Sequence, residues 1–438
     1  METLESYLNR KRQEISLLSS CLASPPRPAR VASVASVIEH KFRLAAALKA
    51  ERCLQNWAMT ETARLPAQRP KTGSFEFSYG YQRADLRVRG PAIYPAVGPP
   101  TWRIFAETIY TNSGMGAMAA VLTALSRLMD AAELVVPKDC YSETRELLAS
   151  FGPRFRVIPA EALHMHQPST HGTTRIALLD SSVRDRPSRS MRNSLDGVDL
   201  VIFDTTCFWR SSGRIEQVVR WTQHLNLPLV LVRSHSKLDC LGVEYARLGS
   251  VVITTPQSAP MTWMSHLATL TNDSVRLFGA ASTPSSFPPF AHAPQFQRCS
   301  VMRIAATMRN TRRMVRLLST ELDGAHLSAF QHGLYLTLAP ERELNVLSSR
   351  ELARALTQEI ASSNLPVSHA GSFGFDFVAI EWFADPWSRR NVIRVAGSDI
   401  PSSISDEIAR RIAHFWKRRE SSKRSFARVR KAPTALVA

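Results

Sequence analysis

A chain of 438 residues is too long for one simple core, so a large domain with a smaller companion is expected, and 44% hydrophobic with 21% charged residues excludes wholesale disorder. Six cysteines without a Cys-x-x-Cys pair argue against a disulfide framework or a zinc site, and neither a leader-like N-terminus nor a run of about eighteen apolar residues is present, so a reduced, cytoplasmic protein is expected. The net charge of +18 is the compositional outlier; it fits a nucleic-acid partner or anionic substrates.

Residues 1–72 read as a helical arm, interrupted by Ser24-Pro25-Pro26-Arg27-Pro28 and ending in a Pro- and Gly-bearing loop. From Ile109 onward, short apolar runs at 133–136, 156–158, 175–179, 200–203, 229–232 and 251–254 alternate with helical segments, among them 117–128, 141–150 and 215–224. Near-continuous apolar strands between helices predict a mostly parallel sheet covered on both faces, an α/β domain spanning 73–297. After a helical stretch at 298–322, strands near 334–338, 373–383 and 391–395 and helices at 348–362 and 404–417 predict a smaller C-terminal α+β domain over 298–417. The dense basic run from Lys417 to Lys431 lies past that last helix and reads as a solvated, partly disordered tail, 418–438, rather than as a reader of nucleic acid.

Open parallel sheets bind ligands beyond the carboxyl ends of their strands, which is where Asp204 and the Ser234 to Lys237 group fall. Three segments carry chemistry. The run 229–232 delivers Ser234-His235-Ser236-Lys237, a lysine between small hydroxyls and a candidate Schiff-base nucleophile. The run 200–203 ends in Asp204, whose carboxylate is costly to bury without a cation, with Thr206 two residues on. Ser113-Gly114-Met115-Gly116-Ala117 opens a helix, where backbone N–H groups suit phosphate. Lysine, aspartate and phosphate turn are together the parts of a pyridoxal phosphate site.

On these segments the chain resembles the fold-type-I pyridoxal phosphate enzymes, most closely the cystathionine γ-synthase and methionine γ-lyase group. That resemblance implies the aspartate aminotransferase fold, with a seven-stranded large-domain sheet, and a homodimer or dimer of dimers acting on a small amino acid. It also implies roles. Gly114 and Met115 would donate N–H groups to phosphate beside Ser113; Tyr141, in Lys138-Asp139-Cys140-Tyr141, would stack on the ring and assist a leaving group; Tyr81 and Arg83 would reach the neighbouring subunit's phosphate. Asp204 would hold the ring nitrogen, Thr206, Ser234 and Ser236 would supply hydroxyls, and Lys237 would be the catalytic amine. Ser372 and Arg394 would grip the substrate carboxylate, which a planar guanidinium binds bidentately. The pattern departs at Asp180-Ser181-Ser182-Val183, where the group has Asn-Pro, leaving Ser181 or Ser182 to meet the ring oxygen. Ser-x-Ser-Lys and Arg247 resemble aminotransferases instead, so transamination stands as an alternative to elimination or replacement. A non-catalytic regulatory or nucleic-acid-binding protein on the same fold is the third reading.

Overall fold

The computed structural model describes all residues except 28–29, 59–70, 80–85, 95–102, 139, 161–172, 181–196, 257–260, 323–326, 331, 386–387 and 430–438. The chain divides into two compact units, one formed by Leu8–Ile304 with Asp385–Arg389, the other by Met1–Tyr7, Ala305–Ala384 and Arg390–Ala438.

The first unit is built on a seven-stranded sheet of order β4-β10-β9-β8-β7-β5-β6, from β4 (Arg103–Thr111), β5 (Ala132–Val136), β6 (Phe155–Pro159), β7 (Thr174–Asp180), β8 (Leu200–Asp204), β9 (Leu229–Ser234) and β10 (Gly249–Pro256). The pairings among β6, β5, β7, β8 and β9 are parallel, and β10 runs antiparallel to both neighbours. The expected mostly parallel α/β sheet is therefore present. Its apolar runs follow from two covered faces. Ile176, Leu178, Ile202, Val230 and Val232 enter one core with α3 (Gly114–Leu128) and α6 (Met261–Leu277), whereas Ala177, Leu179, Val201, Phe203, Leu229 and Leu231 enter another with α5 (Gly213–His224). Successive strand residues point to opposite faces, so both parities must be apolar.

The arm forms α1 (Leu4–Ser20) and α2 (Val34–Ala58). From Leu8 onward it belongs to this unit: Leu17, Leu18, Leu44 and Leu48 share a core with Phe75, Phe77, Leu241 and Val243. A small antiparallel sheet of β1 (Lys71–Thr72), β2 (Phe75–Tyr79) and β3 (Leu86–Arg89) follows, its first strand falling at the end of the expected loop.

The second unit carries a five-stranded sheet of order β11-β12-β15-β14-β13, from β11 (Leu327–Ala329), β12 (Tyr335–Leu338), β13 (Val367–His369), β14 (Val378–Ala384) and β15 (Asn391–Ala396). After α7 (Pro294–Glu321), helix α8 (Val346–Ala361) packs on β13, β14 and β15 with Leu352, Leu356 and Ile360 buried. The last helix, α9, runs Ser402–Val429, past the stop expected near Lys417. Between Arg418 and Val429 there is no proline or glycine, and Arg, Glu and Lys propagate a helix, so its basic composition did not end it.

Candidate functional site

Asp180, Asp204 and Ser234 are the last residues of three adjacent parallel strands, β7, β8 and β9, with Asp180 in register beside Asp204. Strand β4 ends at the same edge and feeds α3, and α4 (Ser142–Ser150) begins there with Tyr141 as its N-cap. The predicted segments thus converge because parallel strands carry their carboxyl ends to one side.

The N-terminus of α3 is shaped to meet β9. Ser113 caps it, its Oγ accepting from Gly116 N–H at 3.0 Å and its carbonyl from Ala117 N–H at 3.0 Å. Among the described residues no protein acceptor takes the N–H groups of Gly114 and Met115. A Cβ on Gly114 would stand 2.8 Å from Ser234 Cβ, and one on Gly249, which opens β10, would stand 2.1 Å from the Ser113 carbonyl oxygen. Two glycines therefore permit the helix start to lie directly on the strand that leads to Lys237.

The hydroxyls of Ser234 and Ser236 are 2.9 Å apart, both side chains half-buried, and Lys237 Nζ stands 5.9 Å from the centroid of the Tyr141 ring. Thr206 Oγ1 accepts from Ser234 N–H at 3.1 Å, and Thr206 N–H donates to Asp204 Oδ1 at 2.8 Å. Burial pushes the Asp204 carboxyl up from its ordinary value, against the pull of Thr206, Lys237 and Arg233. A further cation at Asp204 would favour its ionised form. Asp180, buried, accepts from Tyr141 N–H at 2.6 Å and so fixes the entry of α4.

Ser113, Gly114, Met115, Tyr141, Asp204, Thr206, Ser234, Ser236 and Lys237 are thus gathered at one sheet edge. Arg247 is exposed, and among the described residues no hydrogen bond or ion pair joins it to Ser234, Ser236 or Lys237. Tyr81, Arg83, Ser181 and Ser182 lie outside the described residues. Ser372 and Arg394 belong to the other unit, where Arg394 pairs with Glu381 and stands 4.6 Å from the centroid of Phe383 and 5.4 Å from that of Tyr335. A Cβ on Gly371 would lie 2.6 Å from Glu381 Oε2, so the turn bearing Ser372 rests on the same carboxylate. Glu381 was not anticipated; its signal is register, since it faces Arg394 across β14 and β15. Also unanticipated were the buried Arg233, His235, Asp239 and Ser250 behind the Ser234 to Lys237 segment.

No family model matches the sequence, and no curated protein matches it. Among solved structures, an aromatic-amino-acid aminotransferase from Burkholderia pseudomallei covalently bound to pyridoxal phosphate is 13% identical over 92% of this chain and 95% of its own, with a TM-score of 0.49. A cystathionine gamma synthase from Xanthomonas oryzae pv. oryzae is 14% identical over 71% and 81%, with a TM-score of 0.47, and a serine palmitoyltransferase from Sphingomonas wittichii is 12% identical over 70% and 71%, with a TM-score of 0.48.

Proposed function

We propose that the chain is a pyridoxal phosphate-dependent enzyme acting on an amino acid, a lyase or transferase that eliminates or replaces a group at Cβ or Cγ. The observation that carries this is Lys237: an amine 5.9 Å from the Tyr141 ring centroid and within electrostatic reach of a half-buried Asp204, beside two hydroxyls and a helix N-terminus. The residues fit the group. Gly114 leaves a cradle that a Cβ would fill, and Asp204, pushed up by burial, calls for a cationic N–H beside it.

When bound, the cofactor supplies an electron sink for charge developing at the substrate Cα. Gly114 and Met115 N–H groups with the Ser234 and Ser236 hydroxyls would hold its phosphate, and Asp204 would keep the ring nitrogen protonated. Tyr141 would cover one ring face, positioned by Asp180 through its backbone N–H. Lys237 would hold the aldehyde covalently and, once displaced by substrate, move the Cα proton as a free amine. The six free cysteines support a reducing compartment such as the cytoplasm. Ser234-His235-Ser236-Lys237 favours an aminotransferase as the second reading, in which a keto acid regenerates the cofactor.

The test is the absorbance spectrum of the purified protein with added pyridoxal phosphate beside that of Lys237→Ala. A visible band at roughly 410–430 nm, bleached by borohydride and absent from the variant, is expected. No band in either protein removes the reading.

A further inference from the structure

Behind the Ser234 to Lys237 segment, Asp239 Oδ2 lies 2.7 Å from His235 Nδ1, and His235 Nε2 lies 2.8 Å from Ser250 Oγ. A carboxylate at Nδ1 fixes the proton there, so the Ser250 hydroxyl donates to Nε2. The same order of groups activates a serine for acyl transfer. Here Ser250 is 0% exposed, Asp239 2% and His235 5%, so a substrate carbonyl does not reach the hydroxyl and the row is not a nucleophile.

The row continues into Arg233, also 0% exposed, which donates to Asp239 Oδ2 at 2.7 Å and Oδ1 at 3.0 Å, and to the carbonyls of Thr205 and Phe208, each at 2.8 Å. It thereby joins the end of β9 to the loop that follows Asp204. His235 is held at its backbone too: its N–H donates to Leu248 O at 2.8 Å and its carbonyl accepts from the Cys240 thiol at 3.0 Å. Along this stretch Arg233 and His235 turn inward while Ser234 and Ser236 stay half-buried, their hydroxyls 2.9 Å apart. The bonds of these inward residues fix the backbone from which the two serines project.

We propose that this buried row of Ser250, His235, Asp239 and Arg233 sets the spacing and aim of Ser234 and Ser236 toward a phosphate group, with His235 as the positioning residue; this rests on the pyridoxal phosphate reading of the site. A side chain locked by neighbours holds its functional partners within the fraction of an ångström that anion binding demands.

The test compares the full chain with His235→Gln and Ser250→Ala, using pyridoxal phosphate and 5′-deoxypyridoxal, the same aldehyde without phosphate, as probes in equilibrium titrations of the visible band. Thermal unfolding of each protein is measured alongside. Both variants are expected to hold pyridoxal phosphate at least about tenfold more weakly while affinity for 5′-deoxypyridoxal changes by less than about twofold. Unchanged pyridoxal phosphate affinity in both overturns the proposal, and so does a parallel loss for both probes, which is what general loosening of the fold produces. If His235→Gln does not fold, Ser250→Ala, which deletes one bond at the far end of the row, decides alone. A parent protein with no Lys237-dependent band overturns the reading of the site itself, a failure visible before any variant is made.

Discussion

Burial pushes the His292 imidazole down to about 4 from its ordinary 6.5, helped by Arg210 and His235, and burial also lowers His235, against the pull of Asp239. Between those values the unfolded chain binds more protons than the folded one, so stability climbs with pH up to about 6.5 and falls as pH drops toward 4. Burial alone would raise Asp239, but Arg233 and His235 hold it far below the carboxylate range, which extends the loss to lower pH; Asp204, raised by burial, opposes it in its own window. The loss of Tm between pH 7 and pH 5 should be smaller in His292→Gln, which takes no proton, than in the parent; equal losses would remove His292 as a contributor. That Asp204 and the segment bearing Lys237 lie at one sheet edge was legible in the sequence because each follows an apolar run. The inward row was not, because His235 finds its partners four and fifteen residues away, and the face a side chain takes depends on the strand that receives it.

At the scale of elements, α1 and α2 bear on the Lys237 loop through one carboxylate. Glu14, 0% exposed, pairs with Lys41, with Lys11 at 3.1 Å and with Arg303 at 3.5 Å, and Lys41 Nζ donates to Leu241 O at 2.6 Å. Leu241 sits at φ 52°, a left-handed conformation a leucine adopts only when its surroundings hold it. Glu14→Gln keeps the volume and removes the charge these cations face. Breaking a buried ion pair from one side costs about 3–5 kcal/mol, so a loss of that order in denaturant unfolding is expected, and a loss under about 1 kcal/mol would show the cluster to be energetically idle. The large sheet was legible because two covered faces force unbroken apolar runs, whereas β1, β2 and β3 are two to five residues long and too short to carry a period. The end of α9 was misread because charge was taken for a stop, although Arg, Lys and Glu are good helix formers.

For the whole molecule, the net charge of +18 has no single explanation in the site, and a smooth fall of duplex retention with salt would mark it as general phosphate attraction rather than sequence reading. Assembly bears on Arg83, which the resemblance carries across a dimer. In a protein that sediments as a dimer, Arg83→Ala should bind pyridoxal phosphate about tenfold more weakly or worse, and unchanged affinity would remove that residue from the phosphate site. The bond from Lys41 to Leu241 spans 200 residues of sequence. At bacterial or eukaryotic elongation rates of about 5–20 residues per second, roughly ten to forty seconds separate the synthesis of its two ends. Throughout that interval Leu17, Leu18, Leu44 and Leu48 have emerged before the residues 241 and 243 that cover them. The four leucines therefore wait that long for part of their final cover, and the yield of the chain in a cell should depend on how fast it is translated as well as on how stable it finally is.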